Sequence, residues 1–250
     1  MEFALRFNSR DLAAATVVLD LDGTLVDTAA DLVATLNVLL GEEGVAPLAL
    51  AEARPMIGQG ARALLVKGFA AGGAPIVEER LTALFNRFID HYRAHIADHS
   101  RPFPGAMAAL DALAGAGARL AVCTNKRTDL SVALLRALGL ADRFAAIVGP
   151  DAAPAAKPDP RHLIAAVERA GGRPDLAVMV GDSAADAGAA RAAAIPLVLV
   201  TFGYTEIAAQ DLKPDCLIDH FDELPLACAR LLRPCPAAAQ PVLAPPLPDA

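Results

Sequence analysis

Tryptophan is absent from this 250-residue chain, and aromatic residues make up only 4% of it. No window gathers Lys and Arg into a stripe, and the formal net charge is −7. A nucleic-acid partner needs a basic footprint, so that class of function is excluded. Cysteine is scarce: Cys123, Cys216, Cys228 and Cys235 form no C-x-x-C pair. Neither a disulfide framework nor a zinc site is built from such spacing, and reduced, idle thiols are expected. No segment approaches the roughly 20 apolar residues of a membrane span. Met1 to Asp11 carries Glu2, Arg6, Arg10 and Asp11 and has no apolar stretch of signal-peptide length. A cytoplasmic protein is the expectation.

What the chain does have is apolar material, 55% of all residues, arranged in short β-branched runs. Thr16–Leu19 ends directly at Asp20 and reads as a buried strand. Comparable runs recur at Arg119–Cys123, Ala145–Val148, Leu176–Val180, Pro196–Val200 and, more weakly, Cys216–Ile218. Helical stretches lie between them: Gly105–Ala114, Asp129–Leu138, Pro160–Ala170 and Ala184–Ala193, with Gly139 and Gly171-Gly172 at the positions of C-caps. This alternation predicts an α/β fold, a Rossmann-like parallel sheet with helices on both faces.

One interval breaks the pattern. About 75 residues separate the first strand from the next α/β unit, far more than a loop. Ala29–Leu40 carries apolar residues at helical spacing, and Ala61–Phe69 and Glu78–Ile96 also read as helices. Residues 28–100 are therefore expected to form an inserted all-helical subdomain, with Ser100–Pro104 as the return hinge. Residues 1–27 and 101–232 form the α/β domain. Residues 233–250, with six prolines and almost no charge, are expected to be an extended or disordered tail.

Acids follow the strands. Asp20 and Asp22 stand two residues apart after the first run, so both carboxylates face one side if the chain stays extended. Adjacent carboxylates repel and call for a cation or a shared proton; a hard cation such as Mg²⁺ suits oxygen ligands. An ordinary Asp-Gly turn is the competing explanation. Asp182 and Asp186 repeat the arrangement after Leu176–Val180, where a helix cap with dipole-favoured acids is the alternative. Thr124 and Asn125 follow a third strand, at a helix start able to bind phosphate oxygens. Lys157 precedes a helix in Lys157-Pro158, where its charge can offset phosphate and carboxylates.

The order D-x-D-G-T, T-N, K-P, G-D-x-x-x-D resembles the haloacid dehalogenase-like (HAD) hydrolase superfamily over nearly the whole chain except the tail. Within it, Phe103-Pro104-Gly105, Cys123-Thr124-Asn125-Lys126, Gly181-Asp182-Ser183, Thr201-Phe202-Gly203-Tyr204 and Asp219–Pro225 look most like phosphoglycolate phosphatases. The resemblance implies Mg²⁺-dependent hydrolysis of a small phosphorylated metabolite, a phosphate monoester, through an aspartyl-phosphate, with 2-phosphoglycolate, giving glycolate and phosphate, as the expected substrate. Asp20 would be nucleophile and metal ligand. Asp22 would be general acid and base, its carbonyl also a metal ligand. Asp182 would complete the metal set with Asp186 in support; Thr124, Asn125 and Lys157 would hold the phosphoryl group; Thr24 would orient the first loop. The helical insertion would be the cap. Ala156, where many relatives carry a basic residue, and the proline-rich tail depart from the pattern.

In the cap, Gly58-Gln59-Gly60 permits close backbone approach to a ligand. Arg62, or Arg54 before it, is the candidate partner of a substrate carboxylate, with a solvated arginine at a turn as the alternative. His91, His95 and His99 recur every four residues and read as an exposed polar stripe on one helix face rather than a metal site. Other functions compatible with the acidic set are a sugar phosphomutase of the same superfamily and a phospho-accepting signalling domain. A monomer or homodimer is expected.

Overall fold

A computed structural model describes residues 12–204 and 207–232. The tail expected at 233–250 and the N-terminal stretch through Asp11 lie outside the described residues. Six parallel strands form one sheet: β1 (Thr16–Leu19), β4 (Arg119–Cys123), β5 (Ala146–Val148), β6 (Ala177–Gly181), β7 (Leu197–Val200) and β8 (Cys216–Ile218). Their spatial order is β5-β4-β1-β6-β7-β8. Every β1 residue is buried, and alternation splits the strand between two cores. Val17 and Leu19 join Leu110, Leu113 and Leu224; Val18 joins Leu163, Val167 and Ala190 on the opposite face. Burying each Val or Leu contributes about 1.5–3 kcal/mol, so a continuous apolar run is the sequence such a strand requires. The helices on the sheet are α5 (Ala106–Gly115), α6 (Thr128–Ala137), α7 (Pro160–Arg169), α8 (Ala184–Ala192) and α9 (Leu224–Leu232).

The chain runs outward from β1 through β4 to β5, then returns to build β6, β7 and β8 on the other side. The direction of winding reverses beside β1, and open α/β sheets bind ligands in the crevice at the carboxyl ends there.

Two short strands that the sequence pattern did not indicate, β2 (Val26–Asp27) and β3 (Arg101–Pro102), pair antiparallel where the chain leaves and re-enters the sheet domain. Between them lie α1 (Ala29–Glu42), α2 (Leu50–Ala53), α3 (Ala61–Ala71) and α4 (Glu78–Ala94). Leu36, Leu65, Phe69, Leu84 and Phe88 are buried among them, and their cluster continues into the main core. Gly68 lets α3 approach α1 closely, since a Cβ there would lie 2.6 Å from a methyl of Leu36. Asp31, 3% exposed, accepts bonds from the N–H groups of His99 and Ser100 and from Ser100 Oγ, tying the first turn of α1 to the returning chain.

Candidate active site

β1, β4 and β6 end side by side, and each delivers one part of the site. Asp20, 4% exposed, follows β1; its N–H donates to Val180 O at 2.8 Å, and Leu21 N–H donates to its Oδ1 at 2.7 Å. The chain then turns at Gly23. Its φ is +82°, and a Cβ there would sit 2.4 Å from Asp182 Oδ2, so both backbone and space demand glycine. Asp182 follows β6 and is held by Thr24 Oγ1 at 3.1 Å and by the N–H of Tyr204 at 2.7 Å. Ser183 caps α8 in a reciprocal box with Asp186: Asp186 N–H donates to Ser183 Oγ, and Ser183 N–H to Asp186 Oδ2 at 3.0 Å. The helix-cap alternative for this segment thus holds together with clustering of the acids.

Asp20, Asp182 and Asp186 each bring a carboxylate oxygen within 4.8 Å of the others. Lys157, 4% exposed, threads this group. Its ammonium lies 2.9 Å from Asp20 Oδ1 and 2.7 Å from Asp186 Oδ1, and it also donates to Cys123 O at 2.7 Å. Burial opposes its charge, but Asp186 and Asp20 outweigh that and raise its pKa. Three acids against one ammonium leave two negative charges uncompensated when all are ionised. Burial pushes Asp20 up to about 7, with Lys157 opposing and Asp186 adding. Asp182 is pushed up to about 8 by burial first, then by Asp186 and Asp20. An all-oxygen donor set with this charge deficit fits a hard divalent cation. Asp186 already spends Oδ1 on Lys157 and Oδ2 on Ser183, so Asp20 and Asp182 are the better-placed ligands.

Lys157 is itself positioned. Its N–H donates to Asn125 Oδ1 at 3.0 Å and to His162 Nδ1 at 3.1 Å, and Asn125 Nδ2 donates back to Lys157 O at 3.1 Å. His162, fully buried, bonds Val148 O through Nε2. It carried no signal in the sequence beyond being a histidine on an apolar helix face. Thr124 is buried, and its Oγ1 accepts from Lys126 N–H at 3.2 Å. It and Asn125 stand in the loop before α6, which begins only at Thr128, so they do not occupy the helix N-terminus expected from sequence.

Asp22 departs from the acid cluster. Its carboxylate accepts from Thr28 Oγ1 at 2.7 Å and from the Lys126 ammonium at 2.8 and 3.1 Å. Lys126 was not singled out by its spacing. Buried at 8% exposure and over the Tyr92 ring of α4 at 4.5 Å, it has a raised pKa because Asp22 and Tyr92 outweigh the opposing cost of burial.

Asp20, Asp22, Thr124, Asn125, Lys126 and Lys157 line one cavity of about 610 Å³, lined on the other side by Gly58, Arg62, Phe85, Phe88 and Tyr92 from the segment between β2 and β3. Arg62 is exposed, its guanidinium 4.7 Å from the Phe85 ring centroid. Arg54 is not on that wall: it pairs with Asp27 at 3.2 Å and stacks on Tyr204. Of the three histidines, His91 and His95 do stand together, their rings stacked at 4.6 Å, but α4 ends at Ala94 and His99 is not on it. His91 contacts Thr35 Oγ1, His95 pairs with Asp98, and His99 lies beyond the helix. Cys123 and Cys228 are buried free thiols, both pushed up to about 12 by burial.

The chain as a whole resembles known proteins. A curated phosphoglycolate phosphatase of Caulobacter vibrioides is 55% identical over 227 residues, covering 91% of this chain and 96% of that protein. One from Agrobacterium fabrum is 48% identical over 207 residues, 83% of this chain and 89% of the other. A crystal structure of a predicted phosphoglycolate phosphatase from Haemophilus somnus 129PT superposes with a TM-score of 0.79 at 29% identity, over 85% of this chain and 97% of that one. CbbY from Rhodobacter sphaeroides, solved in complex with phosphate, superposes with a TM-score of 0.73 at 25% identity, over 87% of this chain and 100% of that one. The family model for haloacid dehalogenase-like hydrolases matches residues 14–194, and the chain belongs to that family.

Proposed function

We propose that this protein is a magnesium-dependent phosphatase of small phosphate monoesters, acting in the cytoplasm on 2-phosphoglycolate through an aspartyl-phosphate on Asp20. The observation that carries this reading is the buried Asp20 carboxylate, 2.9 Å from Lys157 and within the three-acid cluster. The names of the two curated relatives support the substrate.

In this reading an Asp20 oxygen attacks phosphorus as the bond from phosphorus to the leaving oxygen breaks. Asp22 gives its proton to that oxygen, releasing glycolate as the alcohol. Asp22, now a carboxylate, takes a proton from water as the water attacks the aspartyl-phosphate, which frees phosphate and regenerates Asp20. Lys157, Thr124 and Asn125 hold the phosphoryl group. Mg²⁺ would be held by Asp20, Asp182 and the Asp22 carbonyl, with Asp186 in support and Thr24 orienting the loop and Asp182. Bound there, it would neutralise charge on the acids and on the transferring phosphoryl group. Residues 28–100 act as the cap that excludes water from the cavity, and Arg62 adds a solvated positive charge to its wall.

The test is phosphate release from 2-phosphoglycolate, with and without Mg²⁺, by the natural chain and Asp20→Asn. Turnover that needs Mg²⁺ and falls at least about 10⁴-fold in the variant is expected. Activity that survives in Asp20→Asn, or that chelation leaves unchanged, refutes the mechanism.

A further inference from the structure

Tyr92 is 1% exposed, and its hydroxyl is buried with no hydrogen-bond partner among the described residues. It comes from α4 of the insertion and lines the cavity opposite in chain origin to the strand-end acids. A buried phenol without a partner is costly unless a ligand supplies one. Beside it is Lys126, whose ammonium stands 4.5 Å from the Tyr92 ring centroid and 2.8 and 3.1 Å from the two Asp22 oxygens. A lysine has three N–H donors, and the two contacts to Asp22 use at most two of them. The cavity therefore offers a phenol O–H with no acceptor among the described residues, beside a buried ammonium that pairs with Asp22.

We propose that Lys126 and Tyr92 form the subsite for a second anionic group of the substrate, a carboxylate carried on the leaving alcohol. The inference rests on the phosphatase reading and assigns the residues that select among esters. A single lysine shared between Asp22 and the substrate carboxylate also fixes distance. In a phosphoester of a 2-hydroxy acid the leaving oxygen is two bonds from the carboxylate carbon. Anchoring that carboxylate at Lys126 brings the leaving oxygen beside Asp22, the group placed to protonate it. Arg62 is a weaker candidate for this anchoring role. It is exposed and stacked on Phe85, and a charge in water attracts far less strongly than one that is buried.

The experiment measures kcat and KM for 2-phosphoglycolate and for ethyl phosphate, the isostere with a methyl in place of the carboxylate. The proteins are the natural chain, Tyr92→Phe and Lys126→Met, all with saturating Mg²⁺. The ratio of kcat/KM for phosphoglycolate to that for ethyl phosphate is expected to fall about tenfold in Tyr92→Phe, mostly through KM, and about a hundredfold in Lys126→Met, in line with losing hydrogen bonds to a charged group. Tyr92→Phe removes only the unpartnered hydroxyl and leaves packing intact, so it decides the matter if Lys126→Met fails to fold. An equal loss on both esters, or no preference for phosphoglycolate in the natural chain, overturns the subsite. A natural chain that releases phosphate from neither ester overturns the phosphatase reading itself, and the subsite with it.

Discussion

The N–H of Tyr204 donates to Asp182 Oδ2 at 2.7 Å, while the phenol of the same residue reaches the start of the helical insertion. Its oxygen accepts from Thr28 N–H at 2.7 Å and Ala29 N–H at 3.1 Å, and donates to Asp27 Oδ1. One residue thus ties an acid of the cluster to the first turn of α1, where Thr28 makes no side-chain cap of its own.

Tyr204→Phe keeps the ring and removes that tie. It leaves the buried Thr28 N–H unpaired and the Ala29 N–H with only its 3.4 Å contact to Asp27 Oδ1, so a loss of about 1–3 kcal/mol in urea unfolding is expected. Amide exchange in the first turn of α1 should rise more than in β1. Equal exchange throughout α1 in the two proteins would rule out the tie.

Burial raises Asp20 to about 7 and Asp182 to about 8, against a usual value near 4 for each. A raised folded-state pKa means the folded protein holds these protons more tightly than the unfolded chain. Metal-free protein therefore has that stability in full below about pH 4 and gives it up as pH rises through 7 and 8. Protons and Mg²⁺ compete for the same oxygens. The rise in Tm on adding Mg²⁺ should grow between about pH 6 and pH 8, because metal displaces fewer protons as pH rises. Asp182→Asn should flatten that growth. A gain in Tm independent of pH would place the cation elsewhere.

His162 tests a second pH window. Its Nδ1 accepts the Lys157 N–H, so the neutral ring carries its proton on Nε2, facing Val148 O. Protonation would set a second N–H against that of Lys157. Burial pushes its pKa down to about 4, with the Lys157 charge adding. The stability it contributes is complete above about 6.5 and is lost as pH falls toward 4; between pH 7 and pH 5 the loss is about 2 kcal/mol. His162→Asn keeps an acceptor and does not titrate, so its urea midpoint should change less over that interval. An identical pH response in both proteins would remove the histidine from this role.

Much of the architecture was legible because its determinants are local. Residues 17–19 and 120–123 are continuous apolar runs, which suit a strand buried on both faces. Helices α1, α3 and α4 were readable from period and length. The β2–β3 pair was not, since two strands of two residues each carry no periodicity. Helix α9 lay in a segment read only for its resemblance. At the site, the acids were visible by their position after strands, and Lys157 by its proline. His162, Lys126 and Tyr92 were not, because a histidine, a lysine or a tyrosine inside a helix or loop signals nothing until its neighbours are known.

From the chain alone, Asp20 and Asp182 are seen to stand directly after apolar runs, with Asp22 and Asp186 close behind them and Lys157 just before a helix. How they are divided follows from the packing of the sheet. The order β5-β4-β1-β6 brings Asp20, Lys157 and Asp182 together and assigns Lys157 to Asp20 and Asp186, while Lys126 goes to Asp22. It also brought both tyrosines of the chain to the site, Tyr92 from the insertion and Tyr204 from beyond β7. The physical reason is desolvation. A charge loses its water only when elements distant in the chain close over it, and which partner then compensates it depends on packing that no local pattern encodes.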